Sequence, residues 1–101
     1  MANQKLLNMI GLAKRAGKVI TGEELVTKAI QQGRCQLVFV AKDASTNLIK
    51  KINDKTQFYN IKSSQEFSTS ELSAAIGTDR KVLAITDAGF AKKMETLFMN
   101  D

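Results

Sequence analysis

Two continuous apolar runs, Leu37 to Ala41 and Val82 to Thr86, constrain the fold of this chain most. A strand with one face in water alternates apolar and polar residues, whereas an unbroken apolar run suits a strand covered on both faces. Both runs are therefore placed centrally in a sheet that needs helices on either side. Leu6, Met9, Ile10 and Ala13 recur at helical spacing, and Lys14, Arg15 and Gly17 mark that helix's C-terminus. Val19 and Ile20 allow only a short strand. Thr21-Gly22-Glu23-Glu24 fits a capping box, with Thr21 as N-cap and Glu24 at the third helical position. Leu25, Val26, Ala29 and Ile30 form the expected buried face of this second helix, which Gly33 ends.

Beyond the first apolar run, Asp43 or Ser45 is placed to cap a third helix carrying Leu48, Ile49 and Ile52. Phe58, Tyr59 and Ile61 read as a short strand. The polar stretch Lys62 to Thr69 reads as a loop, with a turn held by Ser63 or Ser64. A short helix around Leu72, Ala75 and Ile76 stops at Gly77. After the second apolar run, Asp87 caps a last helix with Phe90, Met94, Leu97 and Phe98 inward. Strict alternation of helices and strands predicts a central sheet with helices on both faces, in three layers. Proline is absent from all 101 residues, which fits closely spaced regular elements in one domain.

The composition excludes much chemistry. Without histidine there is no imidazole base, no Ser-His or Cys-His dyad and no His-ligated zinc. The lone Cys35 forms no internal disulfide, which fits a reducing cytoplasmic setting. No segment resembles a signal peptide or approaches the ~20 apolar residues that span a bilayer, so no membrane partner is expected. The net charge of +5 is unevenly placed. Residues 1–35 hold six basic and two acidic side chains, and the other 66 hold nine and eight. A basic region on a balanced domain fits a polyanionic partner, although the same charge also serves solubility.

Gly11 to Lys18 fails as a phosphate loop: its glycines are too far apart, Val19 replaces the required hydroxyl residue, and a helix precedes it. Asp43 and Asp87 suit helix caps and Asp79 a solvated loop, rather than a metal or acid–base pair. Cys35 suits a small buried hydrophobe. In the plain reading Lys14 and Arg15 only complement the dipole of the first helix. In the functional one, Lys18, Lys28 and the start of the second helix share a side that offers backbone N–H groups to RNA. Tyr59 and Phe67 are the aromatics expected at the surface, too few for a sheet-face reader of single strands.

Gly22-Glu23-Glu24-Leu25-Val26-Thr27-Lys28-Ala29-Ile30, then Gly33 and Leu37 to Ala44, resembles the kink-turn-binding ribosomal-protein superfamily. Gly11 to Lys18 and Thr86-Asp87-Ala88-Gly89-Phe90-Ala91 resemble its bacterial YlxQ-like branch, and the likeness covers nearly the whole chain. The resemblance implies an α/β fold, a three-layer α/β/α sandwich with a four-stranded mixed sheet. It also implies a single RNA-binding, ribosomal-protein-like domain over residues 1–101, with no enzymatic activity and no cofactor.

In that family the start of the second helix enters the widened groove at an RNA kink and reads sheared G·A pairs. The usual motif runs Gly, a small residue, Asn, Glu, two variable positions and Lys. Gly22 and Lys28 match it, whereas Glu23, Glu24 and Leu25 occupy the small, Asn and Glu positions. A second contact comes from the loop before the last strand, here Gly77 to Lys81, with Arg80 and Lys81 where tight kink-turn binders are more apolar. The expected partner is structured RNA, a kink-turn or ribosomal RNA, bound by a cytoplasmic monomer either free or on the ribosome. The alternative is a protein-interaction or ribosome-associated module of the same fold that has lost base readout.

Overall fold

In a computed structural model, which describes residues 3–98, helices and strands alternate as expected. The order is α1 (Gln4–Arg15), β1 (Val19–Thr21), α2 (Glu23–Gln31), β2 (Leu37–Val40), α3 (Thr46–Phe58), β3 (Lys62–Ser64), α4 (Thr69–Ile76), β4 (Val82–Ile85) and α5 (Ala88–Glu95). The sheet order is β1-β4-β2-β3. β4 runs antiparallel to both β1 and β2, and β2 pairs in parallel with β3, so the sheet is mixed.

The two apolar runs supply the two inner strands, every residue of which is buried, while Thr86 lies beyond β4 and is only partly buried. Because side chains alternate across a strand, Leu37, Phe39, Leu83 and Ile85 face α1, α4 and α5. Val38, Val40, Val82 and Ala84 face α2 and α3. Phe39 anchors the first layer, with ring centroids 6.1 Å from Phe67 and 6.0 Å from Phe98. Burying each such side chain contributes about 1.5–3 kcal/mol, and these two layers fix the helices that carry the site.

The third strand lies later than the sequence suggests. Phe58 closes α3, Tyr59 is its C-cap, and Asn60 takes the left-handed conformation at φ 57. Asn60 N–H donates to Gln57 O at 3.2 Å and Ile61 N–H to Thr56 O at 2.8 Å, a Schellman ending with Asn in the usual glycine place. The chain can extend only after that reversal, so β3 is built from the polar residues Lys62 to Ser64. A polar strand suits this edge of the sheet. The stretch expected as one loop thus contains a strand and a helix start. Ser64 holds the turn between them, accepting from Glu66 N–H at 3.3 Å. Phe67, expected at the surface, is a core residue at 2% exposure, while Phe58 is exposed.

Candidate nucleic-acid interface

α2 begins without a side-chain cap. Thr21 stays in β1, paired with Leu83, and the N-cap is Gly22 at φ 92. The expected Thr21–Glu24 capping box therefore does not form, and Glu24 occupies the second helical position. Among the described residues, Asn3, Ser45, Ser68 and Asp87 cap the other four helices with a side-chain acceptor. Gly22 is required here because its N–H donates to Val82 O at 3.0 Å while the chain turns through a positive φ into the helix. The first N–H groups of α2 are left for solvent or a ligand, at the positive end of the helix dipole. Leu25, expected in the buried face, is instead 55% exposed, and Val26, Ala29 and Ile30 alone are buried.

The loop before β4 stands against this helix head. Gly77 ends α4 in the left-handed conformation. Ser73 Oγ then accepts from Arg80 N–H at 3.1 Å, and Lys81 O accepts from Ala41 N–H at 2.7 Å. Arg80 Nη1 donates to Asp79 O at 2.8 Å, and its Nε lies 3.9 Å from where a Cβ on Gly22 would stand. Gly22 and Arg80, distant in sequence, thus share one corner of the molecule. Between α2 and α3 lies a groove of about 470 Å³ lined by Glu23, Glu24, Thr27, Lys28, Gln31 and Lys51. Lys51, which the sequence did not mark, donates to Glu23 Oε2 at 2.7 Å. The Thr27 hydroxyl is buried with no hydrogen-bond partner among the described residues.

The remaining basic residues lie elsewhere. Lys18 precedes β1, its N–H bonded to Ala13 O and its carbonyl to Thr86 N–H, while Gly22 follows that strand. Four residues of extended chain separate them by roughly 13 Å. Lys14 and Arg15 close α1, and Arg15 lines a different groove, between α1 and α4. Lys14, Arg15 and Lys18 therefore lie at the other end of β1 from Gly22, and of the four expected basic residues only Lys28 lines the α2 groove.

The other candidates have structural roles. Asp43 Oδ1 accepts from Thr69 N–H at 2.8 Å and from its hydroxyl at 2.7 Å, which holds this carboxyl below the usual range. Ser45 caps α3 and Asp87 caps α5. Gly11 is buried inside α1, where an added Cβ would lie 3.1 Å from Ala75 O, so it serves helix packing. Burial pushes the Cys35 thiol up to about 11. Among the described residues no helix is long and apolar enough to cross a membrane, and no group of His, Cys, Asp or Glu is arranged to hold a metal.

Residues 4–95 match the family described as ribosomal protein L7Ae/L30e/S12e/Gadd45. The chain belongs to the L7Ae/L30e/S12e/Gadd45 family. A relative from Enterococcus faecium, named RNA-binding protein YlxQ, is 50% identical over 94 residues, covering 93% of this chain and 91% of its own. The Bacillus subtilis (strain 168) protein of the same name is 41% identical over 98 residues, 96% of this chain and 98% of its own. This member of the L7Ae family therefore sits in its YlxQ-like branch. A Bacillus halodurans structure described as a protein of unknown function superposes with TM-score 0.89 at 40% identity, over 92% of this chain and 95% of that one. A Giardia lamblia 15.5kD RNA binding protein has the same fold, with TM-score 0.79 at 19% identity over 94% and 88% of the two chains.

Proposed function

We propose that this L7Ae-family protein binds structured RNA of the kink-turn type without acting on it as an enzyme. The observation that carries the proposal is the open head of α2, with Gly22 at its tip and Arg80 beside it. Unpaired N–H groups and a guanidinium at one corner suit phosphate and base acceptors. Lys28, one helical turn past Glu24 and in the same groove, is the side chain assigned to a base edge. Glu23 and Glu24 flank that contact, Leu25 offers an apolar surface, and Lys81 adds charge from the adjoining loop. Lys14, Arg15 and Lys18 serve as a separate, sequence-independent phosphate contact. The family and the names of the YlxQ relatives favour the same reading. Residues 1–101 act in it as one RNA-binding domain, a cytoplasmic monomer that meets its RNA free or in the ribosome.

The test is a titration with a kinked RNA and a straight duplex of equal length over a salt series. Tighter binding of the kinked RNA at every salt concentration is expected. Lys28→Ala should cost on the order of 1–3 kcal/mol on the kinked RNA only. Lys18→Ala should weaken both RNAs alike and lower the salt slope by about one. Equal affinity for the two RNAs would reduce the interaction to charge alone, and no RNA binding at all would favour a protein-interaction module.

A further inference from the structure

Phe58 and Tyr59 form an exposed aromatic pair that the fold itself does not use. Phe58 is 78% exposed, and its ring centroid lies 5.0 Å from that of Tyr59 in an edge-on arrangement. Lys51, Asp54, Lys55 and the two rings line a shallow cleft of about 400 Å³. Lys51, Asp54, Lys55 and Phe58 recur at i, i+3, i+4 and i+7, so one stripe of α3 presents them together. The stripe keeps one uncompensated cation: Asp54 is paired with Lys50 at 3.4 Å and Lys51 with Glu23 at 2.7 Å, while Lys55 has no ion-pair partner among the described residues. Lys51 also lines the groove beside α2, so the cleft continues the surface assigned above to RNA. Phe58 lies about 10 Å further along α3 from Lys51.

We infer that the Phe58–Tyr59 pair and Lys55 bind an unpaired stretch of RNA leaving the structured element held at the head of α2. Base faces stack on aromatic rings and phosphates pair with lysines, the combination by which single strands are bound without sequence preference. A protein partner fits less well, since the cores of protein interfaces are depleted in lysine. The inference rests on the RNA-binding reading above and extends it to a second kind of RNA structure.

Tyr59 is the chain's one tyrosine and there is no tryptophan, so intrinsic fluorescence reports on this cleft directly. One kinked RNA would be titrated blunt and with a six-uridine tail at either end in turn, and free oligouridine would be titrated alone at low salt. A tail at one end should quench Tyr59 and tighten binding about fivefold or more. Phe58→Ala should lose that gain while binding the blunt RNA normally, with an unchanged circular dichroism spectrum. Equal binding of blunt and tailed RNA with unaltered Tyr59 emission would overturn the inference and leave the kink reading intact. If no kinked RNA binds, the kink reading fails, and the free oligouridine decides this one: quenching lost in Phe58→Ala supports it, and unaltered emission overturns it.

Discussion

Glu23 Oε2 lies 2.7 Å from Lys51 Nζ, tying the first residue of α2 to the middle of α3. Two consecutive acids at the head of an RNA-reading helix would repel phosphate, and this pair neutralises one of them. It also occupies a lysine that belongs to both grooves on this face.

Glu23→Gln should therefore separate affinity from stability. Both side chains of the pair are about half exposed, so losing it should cost no more than about 1 kcal/mol in a denaturant melt. Freed Lys51 becomes available to a phosphate, and the RNA titration should show tighter binding with a salt slope steeper by about one. Lys51→Ala breaks the same pair and should cost the same small stability, but it leaves Glu23 unneutralised and should weaken RNA binding. Unchanged affinity in Glu23→Gln would place the RNA away from this groove.

The layered fold was legible because β2 and β4 are covered on both faces and their sequences are apolar throughout. β3 was not, for a physical reason. As an edge strand its residues Lys62, Ser63 and Ser64 need no apolar side chains, and its partner β2 supplies the pairing. The helix stop before it was also hidden, because Asn60 rather than glycine takes the left-handed position. Ser/Thr-x-x-Glu occurs at both Thr21–Glu24 and Ser68–Glu71, and only the second forms a capping box. Thr21 cannot serve as a cap while β1 holds its backbone against Leu83. In the candidate site, Gly22 and Lys28 were readable from local order. Lys51 was not, since only the packing of α3 beside α2 brings it to Glu23. The proximity of Arg80 to Gly22 likewise depends on β1 lying next to β4.

Cys35 offers a pH test of the core. It is 6% exposed beneath α2, and burial raises its thiol from the ordinary 9.0 to about 11. The folded state therefore keeps its proton at a pH where the unfolded chain has lost it. The stability tied to this group is complete below pH 9.0 and is lost as pH rises toward about 11. Denaturant melts from pH 8 to 11 should show stability falling more steeply in the parent protein than in Cys35→Ala. A thiol reagent at pH 8 should label the native protein slowly and the unfolded chain fast. Parallel slopes in parent and variant, or rapid native labelling, would contradict the buried, protonated thiol.

Glu24 sets fold stability against RNA affinity. At the second position of α2, without a reciprocal cap to Thr21, its carboxylate stabilises the helix only through the dipole. Glu24→Asn should therefore lower stability by no more than about 1 kcal/mol, the upper range for such an exposed charge. The same change removes the acid that Lys51 does not neutralise and places an amide at the head of the groove. An amide donates to a guanine acceptor, which a carboxylate cannot do. Glu24→Asn should then melt slightly lower and bind a kinked RNA more tightly, with the straight duplex gaining less. Thermal melts and titrations at one fixed salt concentration read both quantities. Weaker binding by the variant would mean that Glu24 itself accepts a hydrogen bond from the RNA, or that the head of α2 is not where the RNA sits.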